Sequence, residues 1–93
     1  MSRAFVNEDA GAEQDPRYDL PDPDSPYYER AAAWALIEGA NQGNTQSAER
    51  ATGRLWGDPT LVPHIQDILR EAEEGGGDRV AQLARRYLRA AGV

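Results

Sequence analysis

His64 is the single histidine of this 93-residue chain, and Asp67 follows it three positions later. On a helix that spacing puts both side chains on one face, where a carboxylate can orient an imidazole for general-base work. The nucleophile would have to be carried in by the fold, and Ser47 is the candidate. A lone histidine at a helix start is more often plain surface than a base, so the sequence assigns no catalytic residue and the chain is not expected to be an enzyme. Glu71, Glu73 and Glu74, with Asp78 across a glycine turn, form the densest carboxylate group. They lack the D-x-D-x-D-G loop that a calcium site needs, so no metal is expected there. Gly75-Gly76-Gly77 lacks the following Lys-Ser/Thr and the preceding strand of a phosphate loop, so no cofactor is expected either.

Two sets of residues are suited to recognition. Arg79, Arg86 and Arg89 line one side of a helix with Arg85 beside them, and Arg85, Arg86 and Arg89 can contact an anion or an acidic partner. The competing account is internal pairing: in a hairpin folded at Gly76, Asp67 comes near Arg85 and Glu74 near Arg79. The second set is aromatic. Tyr18, Tyr27, Tyr28, Trp34, Trp56 and Tyr87 exceed what so small a core needs. Trp34 and Tyr87 are expected inside, with Trp34 as the large anchor of its helix. Tyr27 and Tyr28, at the junction of an acidic segment and the folded body, are expected to contact a partner, together with Phe5 and Tyr18.

Four helices are expected to position these residues, over about 26–40, 46–56, 63–74 and 79–91. The last is best specified. Val80, Leu83, Ala84, Tyr87, Leu88 and Ala91 recur at the spacing of one buried helix face, Asp78 can cap its start, and Gly92 can close it in a left-handed conformation. The first helix reads as N-capped by Ser25, with Pro26 at its first position. Tyr27, Ala31, Trp34 and Glu38 share one of its faces; Tyr28, Ala32, Ala35, Leu36 and Gly39 share the next. The second, capped by Asn44 or Thr45, offers Ala48, Ala51, Thr52 and Leu55, with Gly53 inside it as a close-packing position. Asp58-Pro59-Thr60-Leu61 reads as a capped turn. Pro63 then starts the third helix, which buries Ile65, Ile68, Leu69 and Ala72. No stretch alternates as a strand would. The expected fold is all-α, a compact bundle of residues 25–93 preceded by an extended or disordered arm, residues 1–24. At this size a single core is marginal, so either the two tryptophans pack very well or a homodimer completes it.

Charge divides the chain at the same place. Through Glu29 there are eight acids against Arg3 and Arg17; from Arg30 onward eight acids meet eight arginines, so the formal charge of −6 belongs to the N-terminal segment. A neutral body with an acidic arm and no lysine is a poor match for nucleic acid, whose affinity comes largely from basic charge. A helix-turn-helix reading also fails, because it puts Pro59 or Pro63 inside the recognition helix. There is no cysteine, which suits a reducing cytoplasm. No apolar run has the length of a signal peptide or a membrane span, so no membrane association is expected.

Met1-Ser2-Arg3-Ala4-Phe5-Val6, then Glu8-Asp9, Leu20-Pro21-x-Pro23 and Ser25-Pro26, resembles the leader of small bacterial Gre-type (transcript-cleavage) elongation-factor homologues. That family acts on RNA polymerase through an acidic-tipped coiled coil and a docking C-terminal domain. The resemblance covers the first 26 or so residues and implies only that the arm binds something shared with those proteins, such as the transcription machinery. No family catalytic carboxylate transfers, because neither the long heptad hairpin nor the β-rich domain is present. The sequence therefore points to a cytoplasmic protein-interaction module with a protein partner, with a polymerase-bound regulator as the alternative. A small hydrolase-type enzyme using His64 is the least favoured class.

Overall fold

The computed structural model describes residue 18 and residues 20–93. Four helices, α1 (Tyr28–Asn41), α2 (Thr45–Thr52), α3 (Val62–Gly75) and α4 (Asp78–Ala90), make an all-α bundle, with a 3-10 turn at Pro59–Leu61 leading into α3. No strand occurs among the described residues. α3 and α4 form an antiparallel hairpin through the turn at Gly76 and Gly77, α1 lies against both of them, and α2 packs on α1 alone.

Each helix boundary has a local cause. Ser25 and Pro26 lie in a turn and α1 begins two residues later than expected, because the Ser25 hydroxyl accepts from the Tyr27 amide at 3.1 Å and its carbonyl from Tyr28 at 3.1 Å. α2 is shorter than expected. Gly53 does not pack inside it but ends it, with φ +71 in the left-handed region and its amide bonded to the Glu49 carbonyl. Leu55 consequently leaves the helical stripe and stands 68% exposed. The Asp58 carboxylate caps the 3-10 turn, accepting from the Thr60 amide at 2.9 Å and its hydroxyl at 2.7 Å. Those two bonds hold its carboxyl below the usual carboxylate range. Pro63 sits in the first turn of α3, where its missing amide is harmless. Gly77, rather than Asp78, takes the N-cap position of α4, and Gly92 closes that helix with φ +82.

The core is made by α1, α3 and α4 with Leu61 from the 3-10 turn. Leu36, Ile37, Leu61, Ile65, Ile68, Leu83 and Tyr87 are fully buried, each contributing on the order of 1.5–3 kcal/mol relative to exposure. On α4 the expected stripe holds, with Ala81 added to it. On α1 the expected anchor is misplaced. The buried face is Ala32, Ala33, Ala35, Leu36, Ile37 and Gly39, while Trp34 points outward and is 38% exposed. All six are alanine, glycine or a branched aliphatic, so the helix lies close to its neighbours and leaves an indole no room.

Two contacts set the spacing of the bundle. Tyr87 crosses the core from α4: its ring meets Trp56 edge-on at 4.9 Å and 66°, and its hydroxyl donates to the Asp58 carbonyl at 2.8 Å. Gly39 lets α1 touch α2. A Cβ there would lie 2.6 Å from the Ala48 Cβ and 3.1 Å from the Tyr18 hydroxyl. Tyr18 is itself only 7% exposed, and Leu20 packs against the same core, so the folded unit begins upstream of residue 25.

Burial, seconded by the Asp58 carboxylate, pushes the Tyr87 phenol up to about 12 from an ordinary 10.0. The folded chain therefore keeps a proton that the unfolded chain has released, so this tyrosine's contribution is complete below pH 10 and is lost as pH rises towards 12. Denaturation midpoints should fall through that window, and Tyr87→Phe, at about 0.5–1.5 kcal/mol for the lost hydrogen bond, should flatten the fall. At Gly39, alanine gains about 1 kcal/mol of helix propensity but overpacks by about 1–3 kcal/mol. Gly39→Ala should therefore lower the urea midpoint at unchanged slope.

Candidate functional site

α1 carries the outward face on which the exposed aromatic side chains gather. Because 3.6 residues make a turn, Tyr27, Ala31, Trp34, Glu38 and Asn41 follow one another along one side of the helix. That side is opposite the buried row centred on Ala32 and Leu36. Tyr27 is 72% exposed and Trp34 38% exposed, with half-buried Ala31 between them. Sequence reasoning grouped Tyr27, Ala31, Trp34 and Glu38 on one face and set Tyr27 towards a partner, but turned Trp34 inward. The signal that could have oriented it is the polar continuation of the same face into Glu38 and Asn41, which a buried stripe would not tolerate unpaired.

Charged groups lie along one side of this face, towards α3. The Arg30 guanidinium reaches Glu71 at 2.9 Å and Asp67 at 3.8 Å. On the same side Glu29 lies 3.6 Å from Arg54 and 3.7 Å from His64 in the first turn of α3. Arg70 hydrogen-bonds Asp67 at 2.8 Å, which holds the Asp67 carboxyl below its ordinary range and raises the Arg70 guanidinium above its own. All these groups are substantially solvated, so they orient side chains more than they stabilise the fold. Next to them Tyr28, half-buried, donates to the Thr52 carbonyl at 2.7 Å and ties the start of α1 to the end of α2.

The residues singled out for chemistry are not brought together. His64 faces Glu29 on α1, whereas Asp67 is engaged by Arg70 and Arg30. Ser47 is buried on α2, which makes no packing contact with α3, the helix that carries His64. The acidic end of α3 is split between partners: Glu71 goes to Arg30 and Glu73 to Arg85, leaving Glu74 exposed. Among the described residues no group of three or more histidine, aspartate or glutamate side chains could hold a metal ion.

The arginine side of α4 pairs differently from expectation. Arg85 meets Glu73 at 2.8 Å and not Asp67: long side chains on a helix lean towards its N-terminus, so Arg85 reaches back along α4 towards the turn. Arg79 donates to Asn41 on α1 at 3.1 Å and to Gln82 at 2.9 Å, and not to Glu74. Arg86 and Arg89 are exposed and make no ion pair among the described residues. Of the tyrosines expected at a partner, Tyr18 is buried in the core, Tyr28 is engaged by α2, and Tyr27 stands free of the body. Phe5 lies outside the described residues, as does most of the leader pattern.

No helix of the described residues is long and apolar enough to cross a membrane. Compared with models of protein families, with curated proteins and with solved structures, the chain finds no match. The placement of Trp34 is open to a direct check. Replacing it with alanine should cost less than truncating a fully buried side chain, because 38% of the residue already faces water. Leu36→Ala, two positions on, should lose about 2–5 kcal/mol. Thermal melts of the two variants beside the parent separate a surface indole from a core anchor.

Proposed function

We propose that this chain is a cytoplasmic protein-interaction module, and that the outer face of α1 is its contact surface. One observation carries the reading: Tyr27, 72% exposed, and Trp34, 38% exposed, lie on the same outward side of α1. An indole and a phenol two turns apart supply large, stiff, amphipathic contact area with little rotamer entropy to lose. Ala31 between them adds only a methyl group to that side. The surrounding carboxylates and guanidinia form a polar, solvated rim, the usual surround of a hot spot. The absence of cysteine suits a reducing compartment.

Capture with the full chain, its Tyr27→Ala/Trp34→Ala double variant and a chain lacking residues 1–17 tests this reading. A specific partner should bind the parent and the shortened chain and be lost from the double variant. The expected weakening is tenfold for each 1.4 kcal/mol that the aromatic side chains supply. If the double variant, folded as judged by its melting curve, retains the same proteins as the parent, the α1 face is not the contact surface. Loss of the partner on removing residues 1–17 would move recognition to the N-terminal segment.

A further inference from the structure

A second recognition element lies on the opposite side of α1, where the chain binds a piece of itself. Tyr18 is 7% exposed and Leu20 packs on the core, yet neither belongs to a helix. Among the described residues no backbone hydrogen bond ties Leu20 or Pro21 to the bundle. The first such bond between described residues is the turn from Ser25 to Asp22 at 2.8 Å, which the Asp22 carboxylate reinforces by accepting from the Asp24 amide at 3.0 Å. Side chains thus do much of the seating, as for a bound peptide rather than a strand in a ladder.

The seat is built for that peptide. Gly39 on α1 and Ala48 on α2 form a wall of minimal side chains. The Tyr18 hydroxyl lies 3.1 Å from where a Gly39 Cβ would stand, so the phenol fills the space that a larger residue would close. From Gly39 back to Tyr28 is eleven helical residues, about 16 Å. The ten residues from Tyr18 to Tyr28 cover that distance with slack, so the segment runs back alongside α1. The Pro21-Asp22-Pro23-Asp24 hinge then reverses it into the helix.

We propose that the junction of α1 and α2 is a peptide site filled in cis, and that it accepts the same Tyr18-Asp19-Leu20-Pro21 segment from a second copy of the chain. The occupant is specified by the one already seated. It is a short segment with a tyrosine and, two residues on, a leucine, and exchange between copies keeps the core contacts of Tyr18 and Leu20 while the hinge turn opens. What separates the two arrangements is concentration. A short tether holds its ligand at an effective concentration on the order of millimolar, so the chain closes on itself when dilute and exchanges segments when crowded.

The full-length Tyr18→Ala chain has the seat but not the anchor. Titrating it with a synthetic peptide of residues 16–24, followed by amide NMR, should give saturable shifts at Gly39 and Ala48. Half-saturation should fall at or below about a millimolar, and the same peptide with alanine for tyrosine should give none. A folded variant showing no shift at those two amides, or the same shift with both peptides, overturns the proposal. Should Tyr18→Ala not fold, the parent chain decides. An equal mixture of differently isotope-labelled copies at millimolar concentration should show Overhauser contacts from the Tyr18 ring of one copy to Ala48 of the other. Their absence in that mixture overturns the proposal equally.

Discussion

The bundle depends on Tyr87. Its ring is the largest fully buried side chain of the core, and its hydroxyl is bonded to the Asp58 carbonyl in the irregular stretch between α2 and α3. A chain with short helices and no disulfide has few ways to fix such a stretch. Tyr87 does so from the far end of the sequence: its polar tip holds Asp58 and its ring edge meets Trp56. Around that anchor the Asp58 side chain caps the 3-10 turn, and Glu49 reaches forward from α2 to accept the Trp56 amide at 2.8 Å. The start of α3, and hence the α3–α4 hairpin, inherits its position from this knot of one aromatic pair and a few backbone bonds.

Much of this fold could be read in the sequence, and the misreadings share a physical cause. The α4 stripe was legible because its apolar positions are separated by charged ones, so only one face can be buried. In α1 the run Ala31 to Ile37 is apolar throughout, and every rotation of the helix buries something suitable. Size suggested that Trp34 belonged inside; the deciding factor was how close neighbouring helices come, which Gly39 and the alanines set together. Gly53 was similarly ambiguous: a glycine in an apparent helix is either a packing notch or a left-handed stop, and the two differ only in φ.

The surface chemistry was harder to read than the fold. That the arginines of α4 would meet acids of α3 followed from their number and proximity, but the particular pair, Arg85 with Glu73 rather than with Asp67, depends on how a long side chain leans along its helix, which no local pattern encodes. Trp34 stands at the surface because α1 buries its alanines and branched aliphatics instead. Tyr18 moved the other way, from presumed partner contact to core, because the notch that receives it joins Gly39 and Ala48 from separate helices.

The isolation of α2 has a consequence for how the molecule breathes. This helix has eight residues and leans on α1 alone, and so short a segment has almost no helicity by itself. Its ties to the rest include the contact at Ala48, the bond from Tyr28 to Thr52 and the bond from the Trp56 amide to Glu49. The remaining three helices bury one another's apolar faces and can stay assembled without it. The chain is therefore two cooperative units of unequal persistence: a slow-exchanging three-helix body, and a short flap that opens and recloses many times within the lifetime of the whole.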